Sequence, residues 1–293
     1  MHKAGFVNIV GNPNVGKSTL MNQLVGEKLS IATFKAQTTR HRIMGIVNTE
    51  DTQIVFSDTP GVLKPNYKMQ EMMLQFSESA LADADILLYV TDVVEDPEKN
   101  MDFLEKVSKM SIPVILLINK IDESDQKTLG NLVTKWHGLL PNAEILPISA
   151  KNKFGVDILL KRVHELLPES PAFFDKDQLT DKPAKFFVSE IIREKILRYY
   201  DKEIPYSVEV VVERFKEDDR QIHINAVIYV ERSSQKGIII GHQGMALKKV
   251  STEARKSLER FFDKKIFLET FVKVDKDWRN SQKELKHFGY SLE

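Results

Sequence analysis

The stretch Gly11-Asn12-Pro13-Asn14-Val15-Gly16-Lys17-Ser18 sets two glycines, a lysine and a serine at the spacing of a phosphate-binding loop. Glycines let such a backbone turn its N–H groups toward phosphates, and a following helix adds its dipole. Lys17 is expected to reach the β and γ phosphates, and the Ser18 hydroxyl to bind Mg²⁺. Gly11, Asn12, Asn14, Val15, Gly16 and Thr19 complete the cradle. Downstream, Asp58-Thr59-Pro60-Gly61 offers a carboxylate that can hold Mg²⁺ through water. The Gly61 N–H can meet a γ-phosphate. Taken alone, that tetrapeptide is also a good turn. In Asn119-Lys120-Ile121-Asp122, the aspartate can accept hydrogen bonds from N1–H and the 2-amino group of guanine. Adenine presents neither donor in that geometry, and charge-assisted bonds are the strong ones. Lys120 is expected along the base plane and Asn119 as a brace between loops. Ser149-Ala150-Lys151 supplies a backbone N–H, on Ala150, for the guanine O6. The expected ligand is GTP or GDP with Mg²⁺.

Something must line these stretches up. Each follows a strand-like run, at 6–10, 53–57, 114–118 and 144–148, with further runs at 43–47 and 86–91. Runs 43–47 and 53–57 flank Asn48-Thr49-Glu50-Asp51-Thr52 and read as a hairpin. The others alternate with helical patterns, including one at 19–24, which implies right-handed βαβ units around a mostly parallel sheet. Such sheets bind ligands at the carboxyl ends of their strands, where all four stretches fall.

Beyond residue 168 the pattern changes. Pro168-Glu169-Ser170-Pro171 and Pro183 mark a linker over 171–183, between a domain at 1–170 and another at 184–293. The second domain reads as helix 188–200, strands 207–215 and 222–231, a short apolar helix, helix 246–262 and strand 266–274. Leu247, Val250, Ala254, Leu258 and Phe261 recur at helical spacing. Between the last two helices lies Gly237-Ile238-Ile239-Ile240-Gly241-His242-Gln243-Gly244, followed by Lys248 and Lys249. A Gly-x-x-Gly loop lets nucleic-acid backbone come close and clamps about four nucleotides, whose bases lie in an apolar groove. Ile238, Ile239 and Ile240 are expected in that groove, Gly241 to Gly244 (with His242 and Gln243) in the clamp, and Lys248 and Lys249 on an electrostatic rim. A helix stop before a solvated helix is the plainer account of the same residues.

The 42 Lys+Arg and 42 Asp+Glu of the 293 residues cancel, but they are unevenly spread. Residues 1–183 hold 20 basic and 24 acidic side chains, and residues 184–293 hold 22 and 18. Within 233–265 eight basic residues face three acidic ones, a surplus that can attract a polyanion. On charge alone, a solvated helix face accounts for it equally well. With no cysteine, disulfides, thiolate metal sites and thiol catalysis are excluded. Seven histidines show no metal-ligand spacing. No apolar run approaches the roughly 20 residues of a membrane span. The N-terminal apolar run could pass for a signal peptide, but cleavage would remove the phosphate loop. A cytoplasmic protein is expected.

The four stretches, in their order, resemble the GTP-binding domain of translation-factor-like GTPases, and the second half resembles a type II KH domain. Joined across a proline linker, and with Lys35-Ala36-Gln37-Thr38-Thr39-Arg40 between the first two stretches, they resemble the Era family of bacterial GTPases. The resemblance runs from the phosphate loop to near the C-terminus. It implies an α/β P-loop GTPase domain, a mostly parallel sheet with helices on both faces, followed by a smaller α+β type II KH domain. In the family, residues 35–40 fall in a switch loop whose threonine completes the Mg²⁺ shell. Thr39 is favoured over Thr38 there, beside Ser18 and Asp58. Val62 follows Gly61, where many small GTPases carry a glutamine that orients the attacking water, so a slow hydrolysis is implied. Asn14 stands where some relatives hold a K⁺ ion in place of an arginine finger; it either does so here or only caps the loop. Lys17, Thr39, Gly61 and Asn14 are the candidate catalytic residues. The implied partners are 16S ribosomal RNA near its 3′ end and the 30S subunit, whose maturation family members assist, with no DNA. Peripheral contact with the inner face of the cell membrane is implied as well. The alternative is a membrane-associated signalling GTPase whose second domain docks a protein.

Overall fold

Residues 2–291 are described by a computed structural model; Met1 and the last two residues, part of the expected C-terminal domain, lie outside the described residues. The chain divides into two units, 2–66 with 70–181 and 67–69 with 182–291. The first alternates β1 (Lys3–Gly11), α1 (Lys17–Val25), β2 (Ile43–Asn48), β3 (Thr52–Asp58), α2 (Lys68–Ala82), β4 (Ile86–Asp92), α3 (Met101–Ser108), β5 (Val114–Asn119), α4 (Gln126–Leu139), β6 (Glu144–Pro147) and α5 (Val156–Leu166). The strands form one sheet in the order β2-β3-β1-β4-β5-β6. Every neighbouring pair is parallel except β2 with β3. All residues of β3 and β4 are buried. That is why their centres, 54–56 and 86–90, are unbroken apolar runs rather than alternating ones. Parallel pairing sends the strand ends Gly11, Asp58, Asp92 and Asn119 to one edge.

The β2–β3 hairpin is tighter than the sequence suggests, because both strands extend into the expected loop. Thr49 N–H donates to Thr52 O at 2.8 Å, and Thr49 Oγ1 accepts from Thr52 N–H at 3.0 Å. The segment expected as linker also departs from expectation. Gln53 Oε1 accepts from Phe173 N–H (2.7 Å) and Phe174 N–H (3.0 Å). Ile46 N–H donates to Leu179 O at 2.8 Å, and Thr180 Oγ1 to Met44 O at 2.6 Å. Residues 173–181 therefore cover the outer strand β2, satisfying an edge that would otherwise expose unpaired backbone groups.

The second unit comprises α6 (Ala184–Tyr199), β7 (Val208–Glu217), β8 (Gln221–Val230), α7 (Ser233–Ile240), α8 (Met245–Phe262), β9 (Lys265–Val274) and α9 (Gln282–His287). Its sheet runs β7-β8-β9, antiparallel then parallel. Ile192 and Ile196 of α6, Val250, Ala254 and Leu258 of α8, and Ile224 and Ile228 of β8 share one core. The apolar stripe of α8 is narrower than its sequence pattern, since Phe261 is exposed. The short α9 escapes a periodicity reading. It is held by Trp278 and Tyr290, whose Oη donates to Glu209 Oε2 at 2.7 Å.

Helix α6 also buries charge. Arg193 Nε donates to Glu190 Oε1 at 2.7 Å, and its second amino group to Oε2 at 2.6 Å. Both side chains are buried, and removing one partner strands the other's charge. Arg193→Ala is expected to cost the second unit about 3–5 kcal/mol. Arg193→Met combined with Glu190→Leu is expected to recover most of that. Hydrogen exchange of the second unit in the full-length protein measures both; equal stability of wild type and the single variant would discard the prediction.

Candidate functional site

At the carboxyl edge of the first sheet lies a cavity of about 290 Å³. Asn14, Gly16, Lys17, Ser18, Thr19, Thr39, Gly61 and Lys120 line it. The turn from β1 into α1 depends on Gly16, which has φ 98° and would place a Cβ 2.2 Å from Asn119 Nδ2. No other residue fits that backbone and that approach. Asn14 also has a left-handed backbone (φ 67°), which asparagine tolerates.

Lys17 is buried, and its ammonium donates to Gly11 O at 2.9 Å and Asn12 O at 2.7 Å. Burial pushes its pKa down to about 8, against the pull of Asp58 and Glu95. Ser18 Oγ lies 2.8 Å from Thr39 Oγ1 and donates to Asp58 Oδ2 at 2.8 Å. Thr39 Oγ1 donates to the same oxygen at 3.3 Å. Thr38 Oγ1 turns elsewhere, to Lys35 O at 2.6 Å. Asp58 Oδ1 is buried with no hydrogen-bond partner, although Ser30 is near enough to help hold the charge. Burial pushes the Asp58 carboxyl up; Lys17 and the hydroxyls of Ser18, Ser30 and Thr39 oppose it. Three oxygen groups converging around one half-satisfied buried carboxylate fit a hard divalent cation such as Mg²⁺, which takes oxygen ligands. Val62 is buried among apolar side chains and cannot order water.

On the base side, Asn119 Nδ2 donates to Val15 O at 2.8 Å, and its Oδ1 accepts from Ala150 N–H at 2.9 Å. Asn119 thus braces two loops. The Ala150 N–H expected for the base O6 is engaged by Asn119 here, so an O6 would share it. Lys120 Nζ holds Asp92 Oδ2 at 2.6 Å. Asp122 is exposed and its carboxyl is held low, first by a hydrogen bond from Ser149 and also by Lys151. These residues are therefore brought together, with Asp122 facing open solvent. Sequence reasoning missed Asp92, Glu95 and Asn100. The signal for Asp92 was present, since it closes β4 at the ligand edge.

In the second unit, the loop after α7 places Gly241 at φ 70°, Gln243 at 50° and Gly244 at 75°. A Cβ on Gly241 would lie 2.6 Å from Ala246 Cβ, so this turn demands glycine. Of the three isoleucines, Ile238 is exposed. Ile239 corrects the expectation: it is fully buried in the core, and its carbonyl accepts from Tyr200 Oη at 2.7 Å. Ile240 packs partly against that core. A helix exposes one face, so three consecutive residues cannot all line a groove. Lys248 and Lys249 line a shallow cavity of about 280 Å³ with Met245, Thr252 and Glu253. Lys249 Nζ sits 4.5 Å from the Tyr199 ring centroid. Part of the basic surplus is neutralised locally: Arg255 pairs with Glu259, Lys256 with Glu253 and Lys264 with Glu217.

Comparison with known proteins matches both units. A family described as 50S ribosome-binding GTPase matches residues 6–120, and the KH domain family matches 203–279. The GTPase Era of Clostridium kluyveri is 44% identical over 292 residues, 99% of this chain and 100% of the relative. That of Geobacter sp. strain M21 is 46% identical over 290 residues, 98% of each. A crystal structure of Era in complex with MgGDPNP and nucleotides 1506–1542 of 16S ribosomal RNA has a TM-score of 0.95 at 37% identity, covering 100% of both chains. Aquifex aeolicus Era bound to GDP and AlF4⁻ has a TM-score of 0.94 at 37% identity, covering 99% of this chain and 100% of that one. Matched along nearly its whole length by these relatives, the chain belongs to the Era family of GTPases.

Proposed function

We propose that this GTPase is a nucleotide-controlled RNA-binding switch that takes the 3′ region of 16S ribosomal RNA and assists maturation of the 30S subunit in the cytoplasm. The convergence of Ser18, Thr39 and Asp58 beside Lys17 carries the reading. In it, Lys17 leaves the loop carbonyls for the β and γ phosphates. Ser18 and Thr39 bind Mg²⁺, with Asp58 behind them. Asp122 selects guanine, and the 241–244 loop with Ile238, Lys248 and Lys249 takes RNA. The related Era structure with 16S nucleotides supports this choice of RNA over a docked protein. Hydrolysis releases the loops around Thr39 and Gly61, and that change alters RNA binding by the second unit. Filter binding of a single-stranded oligomer from the 16S 3′ end, with the protein loaded with GTP analogue or GDP, tests this. Equal affinities would remove the switch; no binding would remove the RNA role. Among the described residues no helix is long and apolar enough to cross a membrane.

The exposed, left-handed Asn14 supports a K⁺ site at the mouth of the cavity. An arginine finger supplies about 10³–10⁵ in rate, and a bare cation a fraction of that. Hydrolysis is expected to run roughly tenfold faster in K⁺ than in Na⁺, and Asn14→Ala to abolish the difference. Equal rates in both salts would leave Asn14 as a loop cap.

A further inference from the structure

Asn100 stands at the N-terminal boundary of α3, where asparagine ordinarily accepts a hydrogen bond from its own helix. It makes no such bond. Its side-chain amide instead donates to Asn12 Oδ1 of the phosphate loop at 2.6 Å and to the Val62 carbonyl at 3.0 Å. Its backbone is left-handed, φ 58°, which orients the side chain away from the helix it begins. Asn12 is itself buried, and its side chain also hydrogen-bonds Glu95. Glu95 in turn accepts from Thr91 Oγ1 at 3.0 Å. Val62 N–H donates to Gly11 O at 3.1 Å, and a Cβ on Gly61 would lie 2.7 Å from Pro13, so the turn leaves no room there for a side chain. The segment from β4 to α3 thus grips the phosphate loop and the chain at Gly61 and Val62 with one amide group.

We propose that Asn100 is a positioning residue for GTP hydrolysis, which pins Gly61–Val62 to the phosphate loop and so sets the place of the Gly61 N–H that meets the γ-phosphate. The proposal rests on the nucleotide reading above. With Val62 unable to orient water, placement of backbone donors carries more of the rate. A pin that is already made in the free protein spares the ordering cost at the moment of reaction. Asn100 touches neither phosphate nor metal, so its loss acts on kcat rather than on nucleotide affinity.

The test compares wild type with Asn100→Asp and Asn100→Gly in the full chain. Both replacements tolerate the left-handed backbone, and both lack the donating amide. Asp102→Ala serves as control, since it weakens the first turn of α3 without touching either partner. Steady-state GTP hydrolysis gives kcat and KM, and fluorescent-nucleotide titration gives GDP affinity. Expected is a fall in kcat of about tenfold in both Asn100 variants, the size of one net hydrogen bond. KM and GDP affinity should stay within about threefold and Asp102→Ala within about twofold of wild type. Asn12→Ala combined with Asn100→Gly should be slowed by less than the product of the two separate effects, since the two share one hydrogen bond. A wild-type kcat in both Asn100 variants, an equal loss in Asp102→Ala, or a change in KM alone would overturn the pin. A wild type that hydrolyses no GTP would instead take down the nucleotide reading beneath it.

Discussion

Asp122→Asn is expected to weaken GTP binding by about 10²–10³-fold while admitting xanthosine triphosphate. The carboxylate is kept ionised by the Ser149 hydroxyl and Lys151, so both oxygens can accept from guanine. An amide keeps one acceptor and turns the other into a donor. That donor opposes the 2-amino group of guanine but pairs with the 2-oxo group of xanthine. Lys120 and Asn119 are untouched, because Lys120 is tied to Asp92 and Asn119 to Val15 and Ala150. Competition of GTP, ATP and xanthosine triphosphate against fluorescent GDP measures the exchange of preference. A variant that weakens all three equally would place Asp122 outside the base site.

The second large effect belongs to the other unit. Lys248→Gln with Lys249→Gln is expected to lower affinity for a single-stranded 16S 3′-end oligomer about 25-fold at 0.1 M salt. Each neutralised phosphate of a single strand contributes about 0.7 to the salt slope, so two contacts remove about 1.4 from it. Lys256→Gln is the contrasting variant. That side chain is paired with Glu253 on its own helix, and its loss should leave the slope unchanged. Titrations between about 50 and 200 mM salt give both numbers. A slope insensitive to the double substitution would mean that RNA enters by another face, or that the second unit docks a protein.

The residues that could be read correctly in advance share a property: they do their work as contiguous stretches. A loop of eight residues that must wrap phosphate writes its glycines and its lysine at fixed spacing, whatever surrounds it. The buried strands announce themselves by unbroken apolar character, and the α8 stripe by its period. Ile239 shows where this stops. Three isoleucines in a row look alike in sequence, and only packing against Tyr200 and the β8 side chains decides which one faces inward. Residues 173–181 were read as a tether because proline and charge look like one. Their backbone pairing with β2 depends on a strand more than a hundred positions earlier.

The amino-acid sequence by itself determined that this chain holds a guanine nucleotide fold followed by a Gly-x-x-Gly module, because local backbone geometry and hydrophobic period are written in neighbouring residues. Tertiary structure alone decided that Thr39 rather than Thr38 joins Ser18 and Asp58, that Asn119 takes the Ala150 N–H, and that Asn100 reaches Asn12 and Val62. Each of these is a hydrogen bond between residues distant in the chain. Such bonds form only after the sheet has brought its strand ends to one edge, and a shift of one ångström would lose them.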